Sequence, residues 1–413
     1  MPSPQRRDFF WVKKTTTQKF IAQNRLINRL NKNIFKGCIS CRFRQTTEVR
    51  TRSKSPAGQR GPTIHDVARA AGVSAATVSN VLRGTRYVGP ELQQRVQEAI
   101  AALQYSPNSL AASLRERRSR TIGVVVPDIT MGLFPAIVRR LAKRAAFTDY
   151  QLILADSQED PSWERERVRA LIRRKIDGLI AIPCRDDSPM LEDVRQSGIP
   201  TVLLDRVAEG TDFDHVLLDN MAAAREGTRH LISLGHRHIL LLASDPTLRN
   251  VRERIEGYRE ALAEANLSGC ENVLIAGRNE AEPARQVLMP VLASPGKPSA
   301  LFALTQTMTI GALQTLWEAG LELPKDVSLL AFDDSEWFTA LKPFVSTLRQ
   351  PTDDFADQAW AMLMARLNND RSPTLQSEVH CSLVIRESTI KCTANLEAET
   401  LANGQPEPGL CPQ

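Results

Sequence analysis

Residues 72–84 read GVSAATVSNVLRG, and with TIHDVARAA at 63–71 they decide the fold of the N-terminal region. Thr63 can cap a helix, and Asp66 follows three residues later in the capping-box position. Gly72 is a suitable end for that helix. The apolar residues between these signals recur with helical spacing: Ile64, Val67, Ala68 and Ala71.

A second and a third helix follow directly. Ser74 is a suitable cap for the second helix and Gly84 ends it, while Pro90 fits the first turn of the third. The residues expected to face inward are Val78, Val81 and Leu82 on the second helix and Leu92, Val96, Ala99, Ile100 and Leu103 on the third. Three short helices with a tight glycine turn between the first two predict a helix-turn-helix.

Charge is distributed unevenly along the 413-residue chain, whose net charge is +6. Residues 1–60 hold 15 Lys and Arg against 2 Asp and Glu, and residues 61–120 hold 8 against 4. The rest of the chain carries a net charge of −11. This asymmetry predicts a polyanionic partner for the front of the molecule. Because residues 1–60 lack hydrophobic periodicity, we interpret them as a disordered basic extension.

Composition indicates a soluble protein, with 42% hydrophobic and 24% charged residues. No apolar run is long enough to span a bilayer, and the N-terminal region lacks the pattern of a secretory signal. The seven cysteines are scattered, which favours a reducing cytoplasm over a disulfide scaffold. Cys38 and Cys41 form a C-x-x-C without a second ligand pair at metal-finger spacing, so we predict neither a metal site nor a cofactor.

From Thr121 onward, short apolar segments alternate with helical segments. The apolar segments are TIGVVVPD, YQLILADS, DGLIAIP, IPTVLLD, HVLLDN, HRHILLLAS, ENVLIAG, SALFALT and VSLLAFDD. This alternation is typical of parallel α/β sheets, and the segments are too many for one compact sheet. We therefore predict an α/β core of two parallel-sheet lobes behind an all-α helix-turn-helix head. Residues 392–413 lose the hydrophobic pattern and are interpreted as a disordered tail.

The segments TIHDVARAAGVSAATVSNVLRG and YSPNSLAASL closely resemble the DNA-binding head and the hinge of the LacI/GalR family of bacterial repressors. The α/β part is similar to that family's core, which has the shape of periplasmic sugar-binding proteins. The segments that carry this similarity include GIPTVLLDR, LISLGHRHI, RERIEGYREAL, LPKDVSLLAFDD and STLRQP, in the family's order. The resemblance covers about residues 61–391 and leaves the basic extension outside.

In this family the second helix of the head enters the major groove of DNA. The contacts that the resemblance implies on the head are Thr63, Ser74, Ala75, Ala76, Thr77, Ser79 and Asn80. Ala75, Ala76 and Asn80 are expected to face base edges, and the methyl groups of the alanines can meet only a thymine methyl. The alternative interpretation of the pattern alone, a plain helical hairpin, does not account for the hinge that follows it.

The hinge lies in SPNSLAASLRERRSR. The resemblance implies that Leu114 inserts into the minor groove as an apolar wedge, with Asn108, Ala111 and Arg115 contacting DNA beside it. The sequence departs from the family at Ala112, where an arginine is common. A solvated basic linker would explain the arginines of this segment but not Leu114.

The effector residues are also implied by the resemblance. They are Phe134, Asp205, Arg254, Thr305, Asp333 and Gln350. An arginine opposed to a carboxylate suits hydroxylated ligands, and strand ends of parallel sheets are where ligands bind. Each residue could instead belong to a structural ion pair. The family's usual Asn-Asp is Thr305-Gln306 here, so an ordinary hexose is not singled out.

The function implied is sequence-specific repression of transcription by a cytoplasmic, nucleoid-associated homodimer on a palindromic operator, under control of a small polar effector such as a sugar derivative. Phosphate-binding, dinucleotide and nucleophile-elbow motifs are absent from the sequence, which argues against an enzyme. A transport protein should carry an export signal and no helix-turn-helix. The sequence leaves open whether the effector releases or recruits the repressor. The expected domains are 1–60 (extension), 61–106 (head), 107–120 (hinge), 121–391 (effector binding and dimerisation) and 392–413 (tail).

Overall fold

The structure is a computed structural model that describes residues 62–84, 86–105, 118–340 and 342–392. These residues form two compact units, 62–105 and 118–392, which are described separately. The basic extension, most of the hinge and almost all of the predicted tail lie outside the described residues. No helix in the described segments is both long and apolar enough to cross a membrane.

The first unit contains three helices, α1 (Ile64–Ala71), α2 (Ala75–Arg83) and α3 (Pro90–Leu103). At the start of α1, the Asp66 carboxylate accepts hydrogen bonds from the Thr63 amide at 2.9 Å and from its hydroxyl at 2.7 Å. Gly72 ends the helix with φ +64°, a conformation that side-chain-bearing residues rarely adopt. The predicted helix-turn-helix is confirmed.

A small apolar core holds these helices together. Its buried members are Val67, Ala68, Ala71, Val78, Val96 and Ala99. Arg95 on α3 donates from Nη2 to the carbonyl of Ala71 at 2.6 Å, which ties α3 to the turn before α2. The expectation that Leu82 and Leu92 face inward is wrong, since they are 36% and 38% exposed. Leu82 is in the last turn of α2 and Leu92 in the first turn of α3, at the margins of the small core.

The second unit contains two six-stranded sheets. Their strands are β1 (Thr121–Val126), β2 (Gln151–Asp156), β3 (Gly178–Ala181), β4 (Thr201–Leu204), β5 (Asp214–Leu218), β6 (Ile239–Ala243), β7 (Val273–Ile275), β8 (Ala300–Ala303), β9 (Ser328–Phe332), β10 (Ser346–Arg349), β11 (Gln376–Val379) and β12 (Ser382–Val384). We call the first lobe 1, with strand order β11-β5-β4-β3-β1-β2, and the second lobe 2, with order β12-β10-β9-β8-β6-β7. All neighbouring strands are parallel except β10 and β12. The predicted core of two parallel-sheet lobes is confirmed.

The helices of the second unit have the following bounds. The helices are α4 (Leu133–Phe147), α5 (Pro161–Arg173), α6 (Met190–Ser197), α7 (Asn220–Ser233), α8 (Arg249–Glu264), α9 (Ala281–Leu292), α10 (Gln306–Glu318) and α11 (Thr352–Leu367).

The chain passes between the lobes three times, after β5, after β10 and after β11. Helix α7 packs on α8 in lobe 2, whereas α11 packs on β3, β4 and β5 in lobe 1. At the first and third crossings, the Asp219 amide donates to the Val379 carbonyl at 3.0 Å, and Nδ1 of His380 lies 3.6 Å from Oδ2 of Asp219. The crossings therefore run side by side, which is the arrangement that lets two lobes open and close about a few residues.

Helices α7 and α8 of lobe 2 approach each other closely, and Gly257 makes this possible. A Cβ atom at this position would lie 2.1 Å from the carbonyl oxygen of Met221, a backbone atom that cannot rotate away. The helices can approach this closely because residue 257 has no side chain.

We predict that Gly257→Ala destabilises the second unit by about 1–3 kcal/mol or more, because the helices must separate to admit the methyl group. The measurement is the free energy of unfolding in urea. Gly269→Ala is the matched control, since a Cβ atom there meets nothing within 4 Å. Equal unfolding midpoints for the two variants would contradict the close backbone contact.

Asp193 on α6 is held by two arginines of α5. Nε of Arg165 lies 2.7 Å from Oδ2 of Asp193, and Nε of Arg169 lies 2.9 Å from it. The hydrogen bonds from Arg165 and Arg169 lower the pKa of Asp193 to about 2. A carboxylate whose pKa is depressed by folding stabilises the protein above its unfolded pKa and loses that contribution as the pH falls towards its folded pKa.

We predict that Asp193→Asn destabilises the protein most at neutral pH and progressively less from about pH 5 towards pH 2. Urea unfolding of both proteins at a series of pH values measures the difference. A destabilisation that stays constant over this range would show that the ion pairs do not carry it.

Candidate DNA-recognition helix and effector cleft

Helix α2 presents a face of short side chains opposite its buried residue, Val78. Ala76 is exposed, and Ser79 and Asn80 are half-buried. Small residues allow a helix to approach the floor of a major groove, and an asparagine can read a base edge there. The predicted contacts Ala76, Ser79 and Asn80 therefore share one accessible stretch of this helix.

The other predicted contacts of the head are placed differently. The Ser74 hydroxyl caps α2 by accepting from the Thr77 amide at 3.0 Å and lies 2.9 Å from the Thr77 hydroxyl. The Thr63 hydroxyl donates to Asp66, and Ala75 packs against the helical core. These three hydroxyls thus have local structural roles as well. Four predicted hinge contacts lie outside the described residues: Asn108, Ala111, Leu114 and Arg115.

In the second unit, two aspartates end equivalent strands of the two lobes. Asp205 follows β4 and Asp333 follows β9. Both are buried, and both have left-handed backbones, with φ of 63° and 74°. Such a conformation is uncommon outside glycine, and Asp tolerates it better than most residues. It brings each carboxylate to the carboxyl end of its sheet, where parallel sheets bind ligands.

Arg254 is fixed in lobe 2 by three contacts. Its Nε donates to Oδ1 of Asn220 at 2.9 Å, its Nη1 donates to the Leu304 carbonyl at 2.7 Å, and its guanidinium lies 3.6 Å from the centroid of the Phe332 ring. The side chain is only 3% exposed. A buried guanidinium held on both edges and one face is preorganised.

Asp333 lies beside this arginine. It accepts from Nε2 of Gln350 at 2.5 Å and from the Gln306 amide at 3.4 Å. Burial raises the pKa of Asp333, and the nearby charge of Asp205 acts in the same direction, whereas Arg254 and the bond from Gln350 lower it. The structure thus brings four predicted effector residues, Asp205, Arg254, Asp333 and Gln350, into one buried polar group.

Thr305 and Phe134 are placed at the margin of this group. Thr305 caps α10 by accepting from the Met308 amide at 3.1 Å, and its hydroxyl donates to Oδ1 of Asn279 at 2.8 Å. Phe134 is 1% exposed in the apolar core, and the guanidinium carbon of Arg206 lies 6.0 Å from its ring centroid. Stacking of Phe134 on a ligand stays a prediction.

Sequence reasoning missed several residues of the cleft. Asn250 at the start of α8 donates from Nδ2 to Oδ2 of Asp205 at 3.0 Å. Arg206 is buried and forms a two-point ion pair with Glu159, with N–O distances of 2.7 and 2.9 Å. Asp186 follows β3 at the same sheet end as Asp205, a position that could have been noticed from the strand pattern.

Several buried polar atoms in this region have no hydrogen-bond partner among the described residues. They are Oδ1 of Asp186, Oδ1 of Asp205, Nε of Arg206, Oδ1 of Asn250 and Oε1 of Gln350. Buried polar groups are almost always hydrogen-bonded, so each such group needs an explanation. These atoms are concentrated where the ends of the two sheets face each other, as is expected of a site for a polar ligand.

Comparison with known proteins connects these features. Residues 63–108 match the model of the lacI family of bacterial regulatory proteins, and residues 228–389 match that of a periplasmic binding protein-like domain. The HTH-type transcriptional repressor PurR of Vibrio campbellii is 31% identical over 331 residues, covering 80% of this chain and 99% of the relative. PurR of Klebsiella pneumoniae is 33% identical over 332 residues, covering 79% and 96%. The chain belongs to the LacI family.

Solved structures agree with this assignment. The Lac repressor dimer bound to operator and the anti-inducer ONPF has a TM-score of 0.71 and 25% identity, covering 80% of this chain and 100% of that one. The complex of the regulator CelR with cellobiose has a TM-score of 0.60 and 27% identity, covering 79% and 99%. As a LacI-family member, the chain is a DNA-binding transcriptional regulator with a small-molecule effector, and not an enzyme.

Base recognition by α2 can be tested at Asn80. Asparagine pairs with adenine N6 and N7, whereas arginine pairs with guanine O6 and N7. We predict that the half-site has an A·T pair opposite Asn80 and that Asn80→Arg shifts this one position towards G·C, by about 1–3 kcal/mol of discrimination.

The measurement is selection of binding sites from a random library with both proteins. Gln97→Arg on α3 is the control, because it adds the same charge at an exposed position away from α2. It should raise affinity for all sequences alike. Identical sequence preferences of wild type and Asn80→Arg at that position would exclude the contact.

Proposed function

We propose that this chain is a repressor that binds a palindromic operator as a homodimer and whose operator affinity is set by a sugar or sugar derivative bound between lobes 1 and 2. The head (61–106) reads the operator, the hinge (107–120) contacts its centre and the region 121–391 binds the effector and dimerises. It acts in the cytoplasm on nucleoid DNA.

The observation that carries the effector site is the buried group around Asp205, Arg254, Asp333 and Gln350, with unpartnered polar atoms beside it. An arginine and carboxylates at fixed positions bind hydroxyl groups through charge-assisted hydrogen bonds. Support also comes from LacI-family structures at 25–27% identity that hold ONPF, cellobiose and ribose. Helix α2 and the matched relatives support the operator.

Asp205 belongs to lobe 1 and Arg254 to lobe 2, so a ligand held by both residues lies between the lobes. A ligand that bonds to both stabilises the arrangement with the lobes together. An effector can shift the balance between lobe arrangements only by the difference in its affinity for them. Residues that contact the ligand from each lobe are therefore the ones on which regulation depends.

We predict that Arg254→Ala and Asp333→Ala each abolish the effector response. Removing one partner of a buried charged contact typically costs about 2–5 kcal/mol of affinity, a loss of roughly tenfold to several thousandfold. If the effector is an inducer, both variants still bind the operator in its absence. If it is a corepressor, both fail to bind the operator at any effector concentration.

The experiment first selects the operator from a random library and then measures operator binding and thermal stability with sugars, sugar acids and nucleosides, because a ligand raises the stability of the state that binds it. Arg259→Ala is the control on the same helix, since Arg259 is half-exposed and pairs with Glu271. A full effector response in Arg254→Ala or Asp333→Ala would remove that residue from the site. A protein that selects no operator would refute the proposed function as a whole.

A further inference from the structure

The two lobes meet at the first turn of α8, and carboxylates of lobe 1 make the contact. Oδ2 of Asp186 accepts from the Arg249 amide at 2.7 Å, and Oδ2 of Asp205 accepts from Nδ2 of Asn250 at 3.0 Å. The residue at the cap position of α8 is Leu248, which has no side-chain oxygen and makes no capping bond. Asp186 therefore supplies from lobe 1 the capping group that α8 lacks, and we call this contact the cross-lobe cap.

The atoms left over at this contact are mostly acceptors. One oxygen each of Asp186 and Asp205 is buried without a hydrogen-bond partner in the part of the chain that the structure describes, as is Oδ1 of Asn250. The orientation of the Asn250 amide follows from its neighbour, because only its nitrogen can donate to the Asp205 carboxylate. The same argument holds for Gln350, whose nitrogen donates to Asp333 and whose oxygen is unpartnered. Among the described residues of this contact, four acceptors thus stand against one buried donor without a hydrogen bond, Nε of Arg206, which lies 3.9 Å from Oδ2 of Asp205.

The titratable side chains of the cleft have the same bias. In and directly behind it, the carboxyl groups are those of Asp186, Asp205, Asp333 and Glu159, and the guanidinium groups are those of Arg206 and Arg254. The charge of Arg206 is already met by Glu159 and, at 3.9 Å, by Asp205. Arg254 donates from Nε to Asn220 and from Nη1 to the Leu304 carbonyl, and these bonds leave its Nη2 for a ligand. The cleft therefore holds more carboxyl than guanidinium groups, and its donors for a ligand are Nη2 of Arg254 and Nε of Arg206.

Two further arginines lie near Asp186 without reversing this balance. Arg249 directs its side chain to Glu253, with an N–O distance of 2.6 Å. Arg252 has Nη2 3.9 Å from Oδ2 of Asp186, but its side chain is half-exposed and its Nη1 donates to the Thr247 carbonyl at 2.6 Å. Burial raises the pKa of Asp186, whereas the Arg249 amide, Arg252 and Arg206 lower it.

We infer that the effector of this chain is rich in hydrogen-bond donors and has no anionic group, as in a polyhydroxylated sugar or an amino sugar, and that Asp186 is a specificity-determining residue that excludes acidic and phosphorylated analogues. The inference rests on the proposed function, since it names the ligand class of that effector site. Hydroxyl or ammonium groups can donate to oxygens of this kind. The oxygens of a carboxylate or phosphate on the ligand would face the acceptor oxygens of the cleft and leave them without a donor. A site rejects a close analogue when binding it leaves buried polar groups unpaired.

The test uses the full chain and a panel matched by scaffold: glucose, glucosamine, glucuronate and glucose 6-phosphate, the corresponding galactose series, and ribose with ribose 5-phosphate. Thermal shift identifies the ligands that bind, and calorimetry gives their affinities. We expect the binders to be neutral or amino members and to bind at least tenfold more tightly than the acidic member on the same scaffold.

Two isosteric variants test the role of Asp186. Asp186→Asn should reduce the preference over the acidic analogue by about tenfold or more, because it removes a negative charge from the cleft while keeping the shape. Asp187→Asn is the matched control, since Asp187 is 86% exposed, and it should leave the preference unchanged. Unfolding midpoints of both variants without ligand show whether they are folded.

The inference is overturned if an acidic or phosphorylated member binds wild type more tightly than its neutral parent, if folded Asp186→Asn keeps the wild-type preference, or if no member of the panel binds. Operator selection on the same preparation separates these outcomes from failure of the proposed function. A protein that selects an operator and responds to a sugar acid would retain its function and refute only the charge selection.

Discussion

The geometry of parallel strands is the constraint on which the second unit depends. All the strands of one parallel sheet end at the same edge, so residues far apart in sequence, such as Asp186 and Asp205, come together. The left-handed backbones of Asp205 and Asp333 occur at this edge in both lobes. Local strain of this kind is kept when the surrounding structure fixes it, and it is concentrated at functional sites.

The polar group at these strand ends is held rigidly by residues that need not touch a ligand. Asn220, the Leu304 carbonyl and the Phe332 ring fix Arg254, and Glu159 fixes Arg206. A side chain that is already in place loses little entropy when a ligand arrives. The affinity of the cleft is thus prepared by contacts within the protein, while its selectivity comes from the atoms that these contacts leave free.

Much of this molecule could be predicted from the sequence because its strongest patterns are local. The capping residues Thr63 and Ser74, the glycine turn and the apolar strands gave the head and the two lobes. Strands β10, β11 and β12 were absent from the predicted strand series, because they are short and β11 and β12 are half-exposed edge strands without an apolar run. Their pairing depends on contacts between distant residues, which local patterns do not encode.

The cleft residues also divide into those that the sequence predicts and those whose roles depend on distant contacts. Arg254, Asp205, Asp333 and Gln350 could be named from family resemblance, and the structure brings them together. The roles of Asp186, Asn250 and Arg206 could not be named, since each depends on a partner in another segment: the Arg249 amide, Asp205 and Glu159 respectively. Leu82 and Leu92 show the opposite error. Helical periodicity predicted that both are buried, but the small core of the head does not extend far enough to cover them.

Because α8 has no cap of its own, the order of its first turn depends on the position of lobe 1. The first amides of a helix have no partner within the helix, and Leu248 offers none to them. When the lobes separate, the Arg249 amide loses Asp186 and must bond to water, so the first turn of α8 is expected to fray. Asn250 stands in that turn, and Arg254 follows it one turn later. Opening of the cleft is therefore expected to loosen the helix that carries its arginine, and an effector that draws the lobes together would complete a secondary-structure element as well as bond to polar side chains.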